Sequence, residues 1–153
     1  MKISIKQLIP EDFCLQCRGC CRFSQQHSIW QPHLLEEEKQ ALGEIIAVAS
    51  PEENNFVCGN LSRADNKCEI YERRPFECQL YPFLLDRKNH KVFLALDLNC
   101  AFVRKNSDDL KLKEYARSLS ELIQSKGCID KLKNDPLLAL EYEGVIDLIE
   151  LKD

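Results

Sequence analysis

The sequence predicts an α+β fold in which a small, irregular, cysteine-rich domain with a short β-hairpin packs against a C-terminal helical hairpin. Three observations predict it. Eight of the nine cysteines lie between residues 14 and 100, two apolar runs flank the polar turn "DRKNHK", and helical periodicity begins near Ser107. We therefore predict a first domain over residues 1–106 and a helical extension over residues 107–153 that packs on it.

The first half of the chain is predicted to contain few regular elements. Residues 1–33 are predicted to be irregular. Residues 32–50 carry apolar side chains at helical spacing behind a run of acids, which predicts a helix that ends at Pro51. "FVCGN" predicts a short strand or turn around Cys58, and residues 68–78 predict an extended piece with a turn at Pro75.

The second half is predicted to hold a hairpin and two helices. Residues 81–98 contain the two apolar runs of the hairpin, although their alternation is imperfect. A first helix is expected from the Ser107 cap to Gly127. A second helix is expected over residues 135–152, with Pro136 at its first position and Gly144 as an interruption.

Composition excludes several classes of function. Of the 153 residues 44% are apolar, enough for one core, and the formal net charge is −4. This balance lacks the basic surface that binds nucleic acids or anionic membranes, and no apolar run is long enough to span a bilayer. The opening stretch "MKISIKQLIPEDF" lacks the apolar core of a secretory signal, so we expect a cytoplasmic protein.

Nine cysteines in a reducing cytoplasm favour metal binding over disulfides, and an odd number fits paired cross-links poorly. Four of them stand in the stretch "CLQCRGCC", where Cys14, Cys17 and Cys20 form C-x-x-C-x-x-C. This spacing is typical of an iron–sulfur cluster loop, which recruits a fourth cysteine from farther away. Because no second C-x-x-C pair follows, a [4Fe-4S] cluster is favoured and Zn²⁺ is the alternative.

The remaining predicted ligands are Cys21 and the remote Cys58, Cys68, Cys78 and Cys100. Neighbouring side chains commonly diverge, so one of the adjacent cysteines is expected to join Cys14 and Cys17, with Cys78 as the fourth ligand. The other is expected to point toward Cys58, Cys68 or Cys100, where a second metal could bind. His27 is an alternative ligand, although an ordinary surface histidine fits it better, and Cys128 lies outside the cluster.

Positive and hydrogen-bonding side chains are expected around the negative charge of such a centre. Arg18 and Arg22 bracket the cysteine loop, and Arg74 precedes Cys78 behind the rigid turn at Pro75. Tyr71 is a candidate donor to a ligand sulfur. The alternatives stay open: each arginine can be a solvated surface charge, and Tyr71 can pack on the core.

These residues carry a resemblance to a known family. "CLQCRGCC", then Cys58 before Leu61, then "CEIYERRPFEC" resembles the CxxCxxCC, or YkgJ-like, cysteine-cluster family of zinc- or iron-chelating domains. The resemblance covers residues 10–101 and includes Cys100, which matches a further cysteine often found downstream. An arginine commonly follows the last cysteine of the pattern, where this chain has Gln79.

The resemblance implies metal binding and leaves the activity undecided. One relative, the flagellin lysine methylase, carries a similar cluster in a larger enzyme. Here no glycine-rich nucleotide loop supports methyl transfer by the chain alone. A thiol-redox enzyme is disfavoured because no parallel-sheet pattern follows the C-x-x-C. The sequence thus predicts a redox, sensing or accessory module that could dock a protein partner; the alternative is an enzyme, or its accessory factor, that modifies proteins.

Overall fold

The computed structural model describes residues 4–17, 19–125 and 128–152. It mixes helices with antiparallel sheets, which confirms the predicted α+β class. Contacts divide the chain into two compact units, Met1–Gln79 and Leu80–Asp153. The predicted division at residue 106 into a metal-binding domain and an extension remains a prediction.

The first unit is built from short elements. Its helices and strands are α1 (Glu11–Gln16), β1 (Arg22–Phe23), α2 (Glu36–Leu42), β2 (Ala47–Ser50), β3 (Asn55–Cys58), β4 (Leu61–Ser62), β5 (Lys67–Cys68), a 3₁₀ turn (Tyr71–Arg73) and α3 (Phe76–Leu80). Three strands form an antiparallel sheet in the order β1-β3-β2, and β4 pairs with β5 in a separate ladder. Val57, almost fully buried, lies at the centre of the larger sheet with Phe23 and Ala47 near it in the core.

Two predictions for the first unit were wrong in part. Residues 1–33 are not irregular throughout, since they contain α1 and β1. The helix predicted over residues 32–50 is limited to α2, which ends at Gly43 with φ of +71°. Beyond that glycine, Ala47–Ser50 pair with β3 instead, because hydrogen bonding to a partner strand outweighs the helical preference of a short run. The strand around Cys58 is confirmed. A third prediction was wrong, because residues 68–78 do not form an extended piece with a turn at Pro75: a 3₁₀ turn spans Tyr71–Arg73, and α3 begins directly after Pro75.

The second unit is built on longer elements. They are β6 (Phe83–Lys88), β7 (Lys91–Asp97), α4 (Ala101–Asn106), α5 (Leu110–Ser125), α6 (Cys128–Asn134), a 3₁₀ turn (Pro136–Leu138) and β8 (Val145–Leu151). The predicted hairpin is confirmed as β6 and β7, with Phe83 opposite Leu96 at its base. Asn89 and His90 both have positive φ, which is the backbone of a tight hairpin turn that matches the strand twist. Phe83, Leu94 and Ile123 are buried in the core.

The C-terminal helices were predicted correctly only in their first half. The expected helix after Ser107 is present as α5, but residues 135–152 do not form a second helix. Gly144, with φ of +72°, precedes β8, which pairs with β7 as the third strand of the sheet. "VIDLIEL" alternates in exposure along that strand, so its period of two outweighs the helical pattern. No helix in the described part of the chain is both long enough and apolar enough to cross a membrane.

Candidate metal centre

The C-x-x-C loop starts at the carboxyl end of α1. Cys14 lies in the last turn of this helix, and Cys17 follows as its C-cap, with its N–H donating to the Phe13 carbonyl at 3.0 Å. Thiol-redox motifs place the first cysteine at a helix N-terminus, where the helix dipole favours the thiolate. The opposite polarity here agrees with the sequence argument against that chemistry.

The adjacent cysteines are brought together by an unusual backbone. Cys21 has φ of +64°, the left-handed region that residues with a Cβ rarely adopt. Cys20 is close enough to raise the pKa of Cys21, so the two adjacent thiols act on each other. The Cys21 carbonyl accepts the Cys58 N–H at 2.8 Å, which ties the loop to β3.

Three remote cysteines of the first unit are placed by regular elements. Cys58 ends β3 opposite Ala47, and Cys68 lies in β5 opposite Leu61. Cys78 lies on α3. The Phe76 N–H at the start of this helix donates to the Glu38 carboxylate at 2.7 Å.

Five thiols are close enough for the charge of one to change the pKa of another. The pKa of Cys21 is raised, first by its hydrogen bond with Cys20, then by burial and by the charges that Cys20, Cys58 and Cys78 would carry. Burial, followed by Cys58 and Cys68, raises the pKa of Cys78. The raised pKa values keep Cys21 and Cys78 neutral without a cation, because burial disfavours a thiolate and neighbouring thiolates would repel it.

For Cys58 and Cys68, neighbouring donors oppose part of the rise in pKa. Burial raises the pKa of Cys58, while the backbone N–H of Asn60 acts in the opposite direction. Burial also raises the pKa of Cys68, opposed by the backbone N–H of Ile70 and by the positive charge of Arg74. Backbone donors and an arginine are the groups expected around a negatively charged thiolate centre.

The donor set fits zinc or an iron–sulfur cluster, because soft thiolates are the ligands that both prefer. Either group would compensate the repulsion among the thiolates and displace their protons. Within the described ranges, however, no three Cys, His, Asp or Glu side chains are already arranged to hold one metal ion. The thiols are gathered, and metal binding would require side-chain rotation to bring the sulfurs onto one centre.

The predicted positive side chains occupy different positions. Arg18 lies outside the described residues. Arg22 donates to Glu53 at 3.2 Å and to Asn66 at 3.0 Å. Arg74 stacks on the Tyr71 ring, 3.9 Å from its centroid, and donates to the Tyr71 carbonyl at 2.8 Å.

Gln79, which follows Cys78 directly, supports this turn. It donates to the Arg74 carbonyl at 3.0 Å and accepts the Ile5 N–H at 3.1 Å. It joins the N-terminal segment to the Arg-Pro turn that precedes Cys78.

Asn66 was not predicted from the sequence. Its side-chain amide donates to the Leu15 carbonyl at 2.7 Å and to the Cys17 carbonyl at 2.9 Å, so it holds the C-x-x-C loop directly. The available signal was local: "ADNKC" is a turn composition, and asparagine tolerates the left-handed conformation found here, with φ of +58°. Nothing in that stretch pointed to the loop some fifty residues earlier.

The remaining cysteines and His27 belong to different units. Cys100 and Cys128 belong to the second unit, where Cys100 precedes α4, Cys128 begins α6 and both are buried. His27 is exposed and lines a groove of about 320 Å³ in the first unit. A narrow recess that shares the Ile46 wall of this groove is lined by Cys58. We call the two together the Cys58 groove.

Comparison with known proteins gives one family. The family model CxxCxxCC, described as "Putative zinc- or iron-chelating domain", matches residues 13–101, which is more than half of the chain. This span includes the eight cysteines predicted as ligands and excludes Cys128. No curated protein and no solved structure matches the chain significantly.

Proposed function

Because the chain belongs to the CxxCxxCC family of zinc- or iron-chelating domains, we propose that it binds an iron–sulfur cluster through cysteine thiolates. The observation that carries the proposal is the gathering of Cys20, Cys21, Cys58, Cys68 and Cys78, whose charges act on one another. Grouped thiols that stay protonated without a cation are suited to a cationic metal or cluster. Zn²⁺ is the alternative occupant of the same thiols.

Sequence spacing distinguishes the two occupants. A C-x-x-C-x-x-C loop completed by one remote cysteine is an iron–sulfur pattern, whereas zinc ribbons use two C-x-x-C pairs. We propose that Cys14, Cys17 and one of the adjacent cysteines share a centre with Cys78. Support for Cys78 comes from its burial and from its interaction with the other thiols. The remaining adjacent cysteine, with Cys58 and Cys68, could serve a second centre.

We propose a redox, sensing or accessory role in the cytoplasm. In support of that compartment, none of the nine cysteines is in a disulfide. A partner protein is part of the proposal, because a carrier or accessory module acts through another protein.

Metal analysis of the anaerobically purified protein tests the proposal. A brown protein with iron and acid-labile sulfide in near-equal amounts is expected. Colourless protein with stoichiometric zinc, and no iron or sulfide after anaerobic reconstitution, would establish the zinc alternative. Protein that holds no zinc and no iron, either as purified or after anaerobic reconstitution, would contradict metal binding altogether.

A second candidate function is an enzyme, or accessory factor, that uses the cluster in protein modification. The Cys58 groove favours it, because a cavity of this size beside a thiol could admit a side chain or a small ligand. An enzyme of this kind needs an iron with an exchangeable position, whereas a carrier can be closed by four thiolates. Spectral change on adding cyanide to the reconstituted protein would favour the enzyme, and an unchanged spectrum would favour the carrier.

A further inference from the structure

We infer that Asn66 is a positioning residue for the cysteine cluster: its side-chain amide caps the carboxyl end of α1 and presets the C-x-x-C loop for metal binding. This inference rests on the proposed metal-binding function. It concerns a residue that is not a predicted ligand and that belongs to the turn between β4 and β5.

The contacts of Asn66 satisfy the end of a helix. The last carbonyl groups of a helix lack partners within it and are usually satisfied by a local turn or by water. Here the Asn66 Nδ2 lies 2.7 Å from the Leu15 oxygen, 2.9 Å from the Cys17 oxygen and 3.4 Å from the Cys14 oxygen. An amide nitrogen carries two hydrogens, so the first two contacts are full hydrogen bonds and the third is weaker. One side chain thus fixes both ends of the C-x-x-C spacing.

The amide can face only one way. Its Oδ1 accepts from Arg22 at 3.0 Å, and the Arg22 guanidinium is held in turn by the Glu53 carboxylate at 3.2 Å. The Arg22 side chain is only 9% exposed, so this ion pair is largely shielded from water. Flipping the amide would place its NH₂ against the guanidinium and its oxygen against carbonyl oxygens, which removes every bond at once.

This arrangement, which we call the Asn66 network (Asn66, Arg22 and Glu53), connects three cysteine segments. Asn66 lies two residues before Cys68, Arg22 follows Cys21 directly, and the amide bonds the Cys14–Cys17 loop. Ligands that are already ordered lose less conformational entropy on metal binding. Groups that orient ligands from outside the coordination sphere typically change metal affinity about 10- to 100-fold.

Two substitutions distinguish the effect of the Asn66 side-chain amide from the effect of its left-handed backbone. Asn66→Gly deletes the amide but suits the left-handed backbone, so a residue needed only for its turn would tolerate it. Asn66→Asp keeps an acceptor for Arg22 and replaces the donors with an oxygen that faces the loop carbonyls. Asn54→Gly is the matched control, because Asn54 has φ of +52° in the same unit and is exposed.

The first measurement uses the full, reduced chain loaded anaerobically with Zn²⁺ and followed by transfer of the ion to excess chelator. Transfer is expected to be about 10- to 100-fold faster in both Asn66 variants than in the wild type. The Asn54→Gly control should keep the wild-type rate. A wild-type rate in Asn66→Gly would overturn the inference, since the turn alone would then suffice.

The second measurement is hydrogen exchange of the metal-depleted chain, which does not depend on metal binding. Amides of residues 11–17 are expected to exchange faster in both Asn66 variants, while those of β6 and β7 stay unchanged. Uniformly faster exchange would mean general destabilisation and would overturn a positioning role, as would unchanged exchange at residues 11–17. If the wild type binds no metal, the proposed function fails while this measurement still decides the role of Asn66.

Discussion

At the scale of single residues, Cys21 shows how one backbone angle changes what a motif can do. An L-residue in the left-handed region costs about 1 kcal/mol, and glycine would avoid the cost but lose the thiol. The bond from the Cys58 N–H to the Cys21 carbonyl helps to hold this conformation. The expectation that neighbouring side chains diverge assumes an ordinary backbone, and the sequence does not reveal the positive φ of Cys21.

Serine substitutions test which thiols hold metal. Cys17→Ser is expected to empty the first centre, because a hydroxyl does not replace a thiolate as a soft ligand. Cys128→Ser should keep the wild-type metal content, since Cys128 is buried in the second unit and lies outside the family match. Metal per chain, measured by elemental analysis after gel filtration, decides both. Loss of metal in Cys128→Ser would show that the predicted ligand set is too small.

At the scale of elements, the sheet of the second unit contains two neighbouring carboxyl groups, of which one is buried. Asp86 on β6 is fully buried; its carboxylate accepts the Tyr142 N–H at 2.8 Å and lies 2.9 Å from the Lys88 nitrogen. Burial would raise the pKa of Asp86, but these two donors lower it overall. The pKa of Asp147 on β8 is raised by burial and by its hydrogen bond to Asp86. As pH falls, Asp147 is therefore protonated before Asp86.

Asp147→Asn tests this assignment through pH. A carboxyl whose pKa is raised by folding contributes stability below its unfolded pKa of about 3.9 and loses it as pH rises through the folded value. Asparagine stays neutral, so the stability of Asp147→Asn relative to the wild type should increase with pH from 4 to 7. Urea unfolding across that range measures it, and a difference that is constant or falls with pH would contradict the assignment.

Asp86→Asn provides the contrast in the same cluster. It removes the charge of a fully buried carboxylate that pairs with the Lys88 nitrogen at 2.9 Å, and a neutral amide oxygen accepts the Tyr142 N–H less strongly than a carboxylate does. We therefore expect a clear loss of stability at pH 7, measured by the same urea unfolding. Equal behaviour of the two variants would mean that the charge is not localised on Asp86.

At the scale of the whole molecule, prediction from sequence succeeded where patterns are local. The hairpin of β6 and β7 and the helix α5 follow from turn chemistry and periodicity within about twenty residues. Residues 47–50 and 145–151 were assigned to helices because apolar runs fit both periods, and only a distant partner strand decides between them.

The residues of the candidate site also differ in whether the sequence could predict them. Its cysteines were found from their spacing and from the family pattern, because both lie in the residue types themselves. The Asn66 network was missed because its bonds join residues separated by 31 to 52 positions. Side chains that orient a site through such contacts carry no motif, so only the folded chain identifies them.

Metal binding should stabilise the first unit far more than the second. The first unit holds seven of the nine cysteines and has strands of two to four residues. The second has strands of six and seven residues over a core that includes Leu94 and Val103, both fully buried. A ligand at 100 times its Kd adds about 2.7 kcal/mol, so removing the metal should speed exchange in β3 about 100-fold and leave β7 unchanged. Hydrogen exchange of the loaded and the chelated protein measures this, and equal changes in both strands would show that metal binding does not stabilise the first unit selectively.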